Sequence, residues 1–151
     1  METNNALVLR IDFSDDASWE ALCAAIREPV GVKAYVDVGE SKAHVDVGEF
    51  KAYVDFVSDP EYNGMMVEEL LSLVPPISNH WFFFIVDQLA LSHPEHPILV
   101  VDLGTEPGRT FRVIPSEMWA VENNLSIANM DFAEFADSTD QDGIFRGFPR
   151  S

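Results

Sequence analysis

Apolar residues recur along this chain with two periods, one of strands and one of helices. Ala6 to Asp12 (ALVLRID) is an apolar run suited to a buried strand, and Ser14, Asp15 and Asp16 follow as the capping and acidic residues that open a helix. Trp19, Leu22, Cys23 and Ile26 fall at i, i+3, i+4 and i+7, one apolar stripe of that helix, which Pro29 and Gly31 end. Asp59-Pro60 and Asn63-Gly64 punctuate the chain before a second helix from about Met65 to Val74, stopped by Pro75 and Pro76. Trp81 to Val86 (WFFFIV) has no polar face and predicts a central strand. A short connection through HPEHP leads to a further apolar strand, Ile98 to Leu103. Glu106-Pro107-Gly108-Arg109 has Pro and Gly at the two central positions of a turn, so Thr110 to Ile114 should return antiparallel. Ser116 to Asn124 predicts a helix with Met118, Trp119 and Val121 inward. Asp131 and Glu134 form a capping box for a last helix, Phe132 to Ala136, and Phe145 or Phe148 should pack back on the body. The expected class is α/β (or α+β): one domain over 1–151, a mixed sheet with an N-terminal strand-helix-strand unit, a later antiparallel meander and C-terminal helices.

One stretch breaks this pattern. Residues 30 to 55 split into VGVKAYVD, VGESKAHVD and VGEFKAYVD, and all three lysines, Lys33, Lys42 and Lys51, occupy the same place in the unit. Fully extended, 26 residues would measure about 85 Å, too long for a domain of this size, so the chain must turn. Gly39 and Gly48, each followed by Glu, are the expected turning points between three short strands. One copy would supply a core strand, and the other two an inserted hairpin or protruding loop.

Composition narrows the partners. The 151 residues carry 26 acids against nine Lys plus Arg, a net charge of -17. So few cations exclude binding nucleic acid by neutralising phosphates, and argue against an anionic membrane surface. The net charges of 1–32, 33–59, 60–114 and 115–151 are -4, -3, -5 and -5, so acidity belongs to the whole surface and to no single tail. The lone Cys23 cannot form an internal disulfide, and no basic-then-apolar leader opens the chain, which points to the cytoplasm. The longest apolar stretch has six residues against the roughly 20 of a membrane helix.

Candidate chemistry is sparse. Asp12, Asp55, Asp87 and Asp102 stand at or near strand ends, with Asp15, Asp16 and Asp59 nearby, and converging aspartates there could hold Mg²⁺. Capping is the preferred explanation, because Asp is the usual residue between a strand and a helix start. His93, Glu95 and His96 in HPEHP would need further metal ligands from afar, and their prolines suit a surface turn. No nucleophile elbow, phosphate loop, H-E-x-x-H or C-x-x-C is present, so no catalytic residue, metal site or cofactor is assigned. Cys23, on the helix stripe, reads as a small core residue. The densest polar group is Trp119 to Asn129 (WAVENNLSIAN), where Trp119, Glu122, Asn123, Asn124 and Asn129 form the candidate binding site, with Trp119 as apolar platform. The competing explanation is that these polar side chains cap helices and satisfy backbone groups.

With LVLRIDFSDDASWEALCAAI (7–26), FIVDQLALSHPEHPILVVDL (84–103) and PGRTFRVIPSEMWAVENNLSIANMDFAEFA (107–136) in view, the chain resembles a family of small acidic actinobacterial proteins known as a domain of unknown function. The resemblance covers nearly the whole chain and implies no activity, cofactor or catalytic residue. It implies a single copy like FKAYVDFVSDP where this chain has three, so Phe50 to Asp59 is the expected core copy.

Two functions follow as expectations. The first is a non-enzymatic protein-interaction module, regulatory or of immunity type, that meets a basic partner; the repeat strands offer a second route, to homo-oligomers. The alternative is a small-molecule binding protein or enzyme with a pocket near Trp119 to Asn129. A third idea, mimicry of nucleic acid, requires carboxylates aligned along one face.

Overall fold

The computed structural model describes residues 5–38, 41–74 and 80–148. The elements in chain order are β1 (Ala6–Arg10), α1 (Asp16–Arg27), β2 (Val30–Val38), β3 (Ser41–Phe50), β4 (Val54–Val57), α2 (Val67–Leu73), β5 (Phe82–Val86), α3 (Gln88–Ser92), β6 (Ile98–Asp102), β7 (Thr110–Val113), α4 (Met118–Ser126), α5 (Phe132–Ala136) and β8 (Ile144–Phe145). Six strands form one mixed sheet in the order β4-β1-β5-β6-β7-β8. β1 is parallel to both β4 and β5, while β5, β6 and β7 run as an antiparallel meander and β8 adds parallel to β7. The expected α/β architecture is therefore present, with β5 central between β1 and β6.

Alternation along the strands builds two cores. Ala6, Val8, Phe82, Phe84, Val100 and Val113 face the helix stripe Trp19, Leu22, Cys23 and Ile26, together with Met118, Val121, Phe132 and Phe135. Leu7, Leu9, Phe83, Ile85 and Val101 face the other way, onto Leu70 and Val74. Successive side chains of a strand point to opposite faces, so a strand apolar on both faces is one covered on both. Asp15 caps α1, accepting from the Ser18 N–H at 3.0 Å. Gly108 has φ +93°, which supplies the turn before β7, and Arg109 N–H donates to Glu106 O at 2.9 Å across it.

Several expectations need correction. Trp81 lies outside β5 and is 64% exposed; its carbonyl still accepts from Leu103 N–H at 2.6 Å at the mouth of the sheet. The connection after β5 holds an unforeseen helix, α3, capped by Asp87 through the Ala90 N–H. Five residues are too few for periodicity to reveal. Gly31 lies inside β2 instead of ending α1. Phe145 is buried, and Phe148, though 44% exposed, rests on Phe135 and Phe145. The stops at Pro75 and Pro76, and the turn at Gly39 and Glu40, lie outside the described residues.

The repeat makes two strands where three were expected. β2 and β3 pair antiparallel from Val30↔Phe50 to Val38↔Ser41 and form a sheet of their own. Gly48 lies within β3 at φ +135°, beside a register shift opposite Val32/Lys33. A glycine with positive φ here serves a bulge and not a reversal of direction. The third copy is divided among the end of β3, a connecting segment at 51–53, and β4, which pairs with β1 in the main sheet.

Candidate functional site

The polar residues of the Trp119 to Asn129 segment meet the root of the repeat hairpin. Glu122 is 3% exposed on α4; its Oε1 accepts from Tyr53 N–H at 2.6 Å and from Asn123 Nδ2 at 3.0 Å, and its Oε2 accepts from the Ser126 hydroxyl. Asn123 Nδ2 also donates to Lys51 O at 3.0 Å. Trp119 is half-buried and stacks on Phe50, ring centroids 4.9 Å apart. Its Nε1 is buried with no hydrogen-bond partner among the described residues. Trp119, Glu122 and Asn123 thus grip residues 50–53, where the chain passes from hairpin to sheet. Asn124 and Asn129 turn away from that root: Asn124 Nδ2 donates to Ala120 O at 2.7 Å, and Asn129 Nδ2 donates to Asn124 Oδ1 at 2.9 Å, closing the end of α4. His80, which no sequence pattern singled out, brings Nδ1 to 3.5 Å from Ser126 Oγ.

A cleft of about 210 Å³ opens at the C-terminal end of the same segment. Its apolar wall is Trp81, Phe82, Leu125, Met130 and Phe132; Gly104, Thr105 and Asp131 form the polar side. Asp102 lies beneath, 4% exposed, with Oδ1 accepting from Gly104 N–H at 2.8 Å and Oδ2 from Glu106 N–H at 3.0 Å, which holds the 103–109 loop in place. A Cβ at Gly104 would lie at ordinary contact distance, 3.4 Å from Asp102 Oδ1 and 3.5 Å from Trp81 Cε3. Trp81 was hidden from sequence reasoning because it adjoins five residues that are fully buried. Phe82↔Asp102 is the last registered pair of β5 and β6, and Trp81 lies just past it, with its carbonyl still bonded to Leu103 N–H.

The strand-end aspartates serve the fold. Asp12 accepts from Ser14 N–H at 2.9 Å, Asp59 from Glu61 N–H at 3.0 Å, and Asp55 from Asn5 Nδ2 at 3.2 Å. Asp87 caps α3 and pairs with Arg112 at 2.7 Å. At the carboxyl end of β1, Arg10 is 4% exposed and donates to Asp12 O, Ser58 Oγ and Asp16 Oδ1, so protein groups occupy this end of the sheet. Among the described residues no group of three or more His, Cys, Asp or Glu is placed to hold a metal. His93 Nδ1 accepts from Glu95 N–H, and a His96 ring nitrogen meets Ala90 O, so both histidines of HPEHP shape a turn.

Four of the five described arginines are engaged in ion pairs. Arg10, Arg109, Arg112 and Arg146 all have carboxylate partners, and Arg146 gathers Glu95, Asp140 and Asp142. Its hydrogen bonds hold the Glu95 and Asp142 carboxyls below their ordinary values. Exposed carboxylates remain on both sides of the sheet, with Glu20 and Glu28 on one side and Glu61, Glu68 and Glu69 on the other. No described helix is long and apolar enough to cross a membrane.

Residues 5–148 match a family model described as Domain of unknown function (DUF6924). No curated protein matches the chain.

Proposed function

The chain belongs to the DUF6924 family, a domain of unknown function, and from that premise we propose that it is a non-enzymatic interaction module, regulatory or of immunity type, that binds a basic protein partner in the cytoplasm. One observation carries this reading: its arginines are mostly consumed by internal ion pairs, while carboxylates stay exposed across the surface. Such a surface attracts cationic partners over a distance set by the screening length, about 8 Å at physiological salt. The test is affinity capture from the native lysate at low and high salt. A basic partner retained at low salt and released at high salt is expected; failure to retain any salt-sensitive partner rejects the proposal.

The β2–β3 hairpin supports self-association as a second contact, because its two strands pair only with each other among the described residues. Sedimentation over a concentration series should then show a dimer that disappears when the hairpin is removed. The small-molecule alternative rests on the cleft beside Leu125 and Ala128, at the end of the Trp119 to Asn129 segment.

A further inference from the structure

The cleft at Trp81 has three features that together select an occupant. Its volume, about 210 Å³, falls below the roughly 300 Å³ at which pockets begin to take drug-sized ligands or cofactors, and suits one large apolar side chain. Its wall is aromatic and aliphatic, and Trp81, 64% exposed, stands at the opening as a ring with most of its surface still in water. Tryptophan is among the residues enriched at the energetic centres of protein interfaces, and exposed apolar surface beside a cleft marks interaction sites. Its lining includes two carboxylates, Asp102 and Asp131, and none of the cations. Asp102 is buried and held by two N–H groups, so the accessible charge at the rim is Asp131. An anionic occupant is disfavoured, and an apolar group carried by a cationic chain is favoured on both counts.

We propose that this cleft receives one apolar side chain, of the size of Leu, Met or Phe, from a basic segment of the partner, with Trp81 packing on it and Asp131 meeting a flanking Lys or Arg. The proposal rests on the reading of the chain as a binder of basic proteins and locates where recognition goes beyond charge. Exposed carboxylates elsewhere would steer the encounter, and the cleft would decide which basic segment stays bound.

The experiment titrates the full chain with acetylated, amidated RRXRR peptides, X being Leu, Met, Phe or Ser, by calorimetry at low and high salt. At least one apolar peptide should bind about tenfold or more tightly than the Ser peptide, the ratio expected from burying such a side chain. In Trp81→Ala that preference should vanish, leaving affinity at the Ser level. Asp131→Asn, which keeps a helix-capping side chain, should weaken all four peptides together. Equal, salt-sensitive binding of all four peptides overturns the cleft proposal while the basic-partner reading stands. Absence of binding by every peptide overturns both. Saturable binding of phenethylamine at Trp81 without peptide preference overturns the proposal in favour of a small-molecule pocket. If Trp81→Ala fails to fold, the comparison of apolar and Ser peptides on the native chain still decides.

Discussion

Glu122 Oε1 accepts the Tyr53 N–H at 2.6 Å across 69 positions of sequence, and so ties α4 to the point where the repeat hairpin joins the main sheet. The carboxylate is buried and also accepts from Asn123 and Ser126. Removing it takes the acceptor from Tyr53 N–H and the Ser126 hydroxyl, while Asn123 Nδ2 keeps Lys51 O. Glu122→Ala should therefore cost about 3 kcal/mol, as unpaired buried groups do, while Glu122→Gln, which keeps acceptor oxygen for Tyr53, should cost about half of that. Urea unfolding of the two variants checks the order; equal losses would count against the hydrogen-bond account.

Trp119 presents the opposite case, a donor with nothing to give to. Its ring stacks on Phe50 while Nε1 stays buried without a partner among the described residues. Trp119→Phe keeps the stacking and deletes the orphan donor, so stability should change by less than about 0.5 kcal/mol or rise, whereas Trp119→Ala should lose about 2–3 kcal/mol. Thermal unfolding distinguishes them.

Residues 32–49 amount to two copies of the repeat, carrying two lysines and four acids. Their deletion leaves VGFKAYVD, with Phe50, Lys51 and Tyr53 still available to Trp119, Asn123 and Glu122. The melting temperature should stay within a few degrees of the parent. Loss of soluble, cooperative folding would mean that the hairpin belongs to the body.

Asp87 gives the stability its acid limb. Burial, the largest single influence on this carboxyl, pushes it up, but hydrogen bonds from Arg112 and Ala90 N–H and the charge of Arg112 together outweigh burial and hold it below 3.8. The folded value being the lower one, the unfolded chain binds more protons, so the contribution is complete above the ordinary carboxylate value and declines as pH falls through the folded value. Asp87→Asn retains the cap and loses the ion pair. It should be less stable than the parent by about 1–2 kcal/mol at pH 7, with the gap closing below pH 4. Denaturant melts at both pH values provide the measurement.

Cys23 is buried on the α1 stripe, and burial pushes its thiol up to about 11. Little thiolate exists at neutral pH. Iodoacetamide should leave the native chain nearly unlabelled over hours and modify it promptly in urea, as mass spectrometry would record; rapid native labelling would identify a reactive cysteine instead.

Local pattern was sufficient for much of the fold. The Trp19, Leu22, Cys23, Ile26 stripe, the Pro107-Gly108 turn, the Asp131 and Glu134 capping box and the two-faced burial of Phe82–Val86 depend on groups a few residues apart. Where sequence reasoning failed, neighbours could not decide. Gly48 served a bulge because of its antiparallel partner Val32, and Trp81 lies past the last registered pair of β5 and β6 with its ring 64% exposed. The resemblance to a family of unknown function was sound, and the family match covers residues 5–148.

Sequence alone determined the class, the acidity and the helix and strand periods, since each is a property of composition or of short-range spacing. Only tertiary structure decided what the polar residues after Trp119 touch: Glu122 and Asn123 reach Tyr53 and Lys51, about 70 residues away, whereas Asn124 and Asn129 bond each other. A pocket near Trp119 to Asn129 was an expectation of the sequence, but the residues that line the cleft with Leu125 and Ala128 were not. Trp81 precedes β5, Leu125 is on α4 and Phe132 on α5, and a concavity exists only once the fold brings these segments together. Hydrogen bonding and burial act over ångströms in space, and a chain pattern reports them only where sequence neighbours are also spatial neighbours.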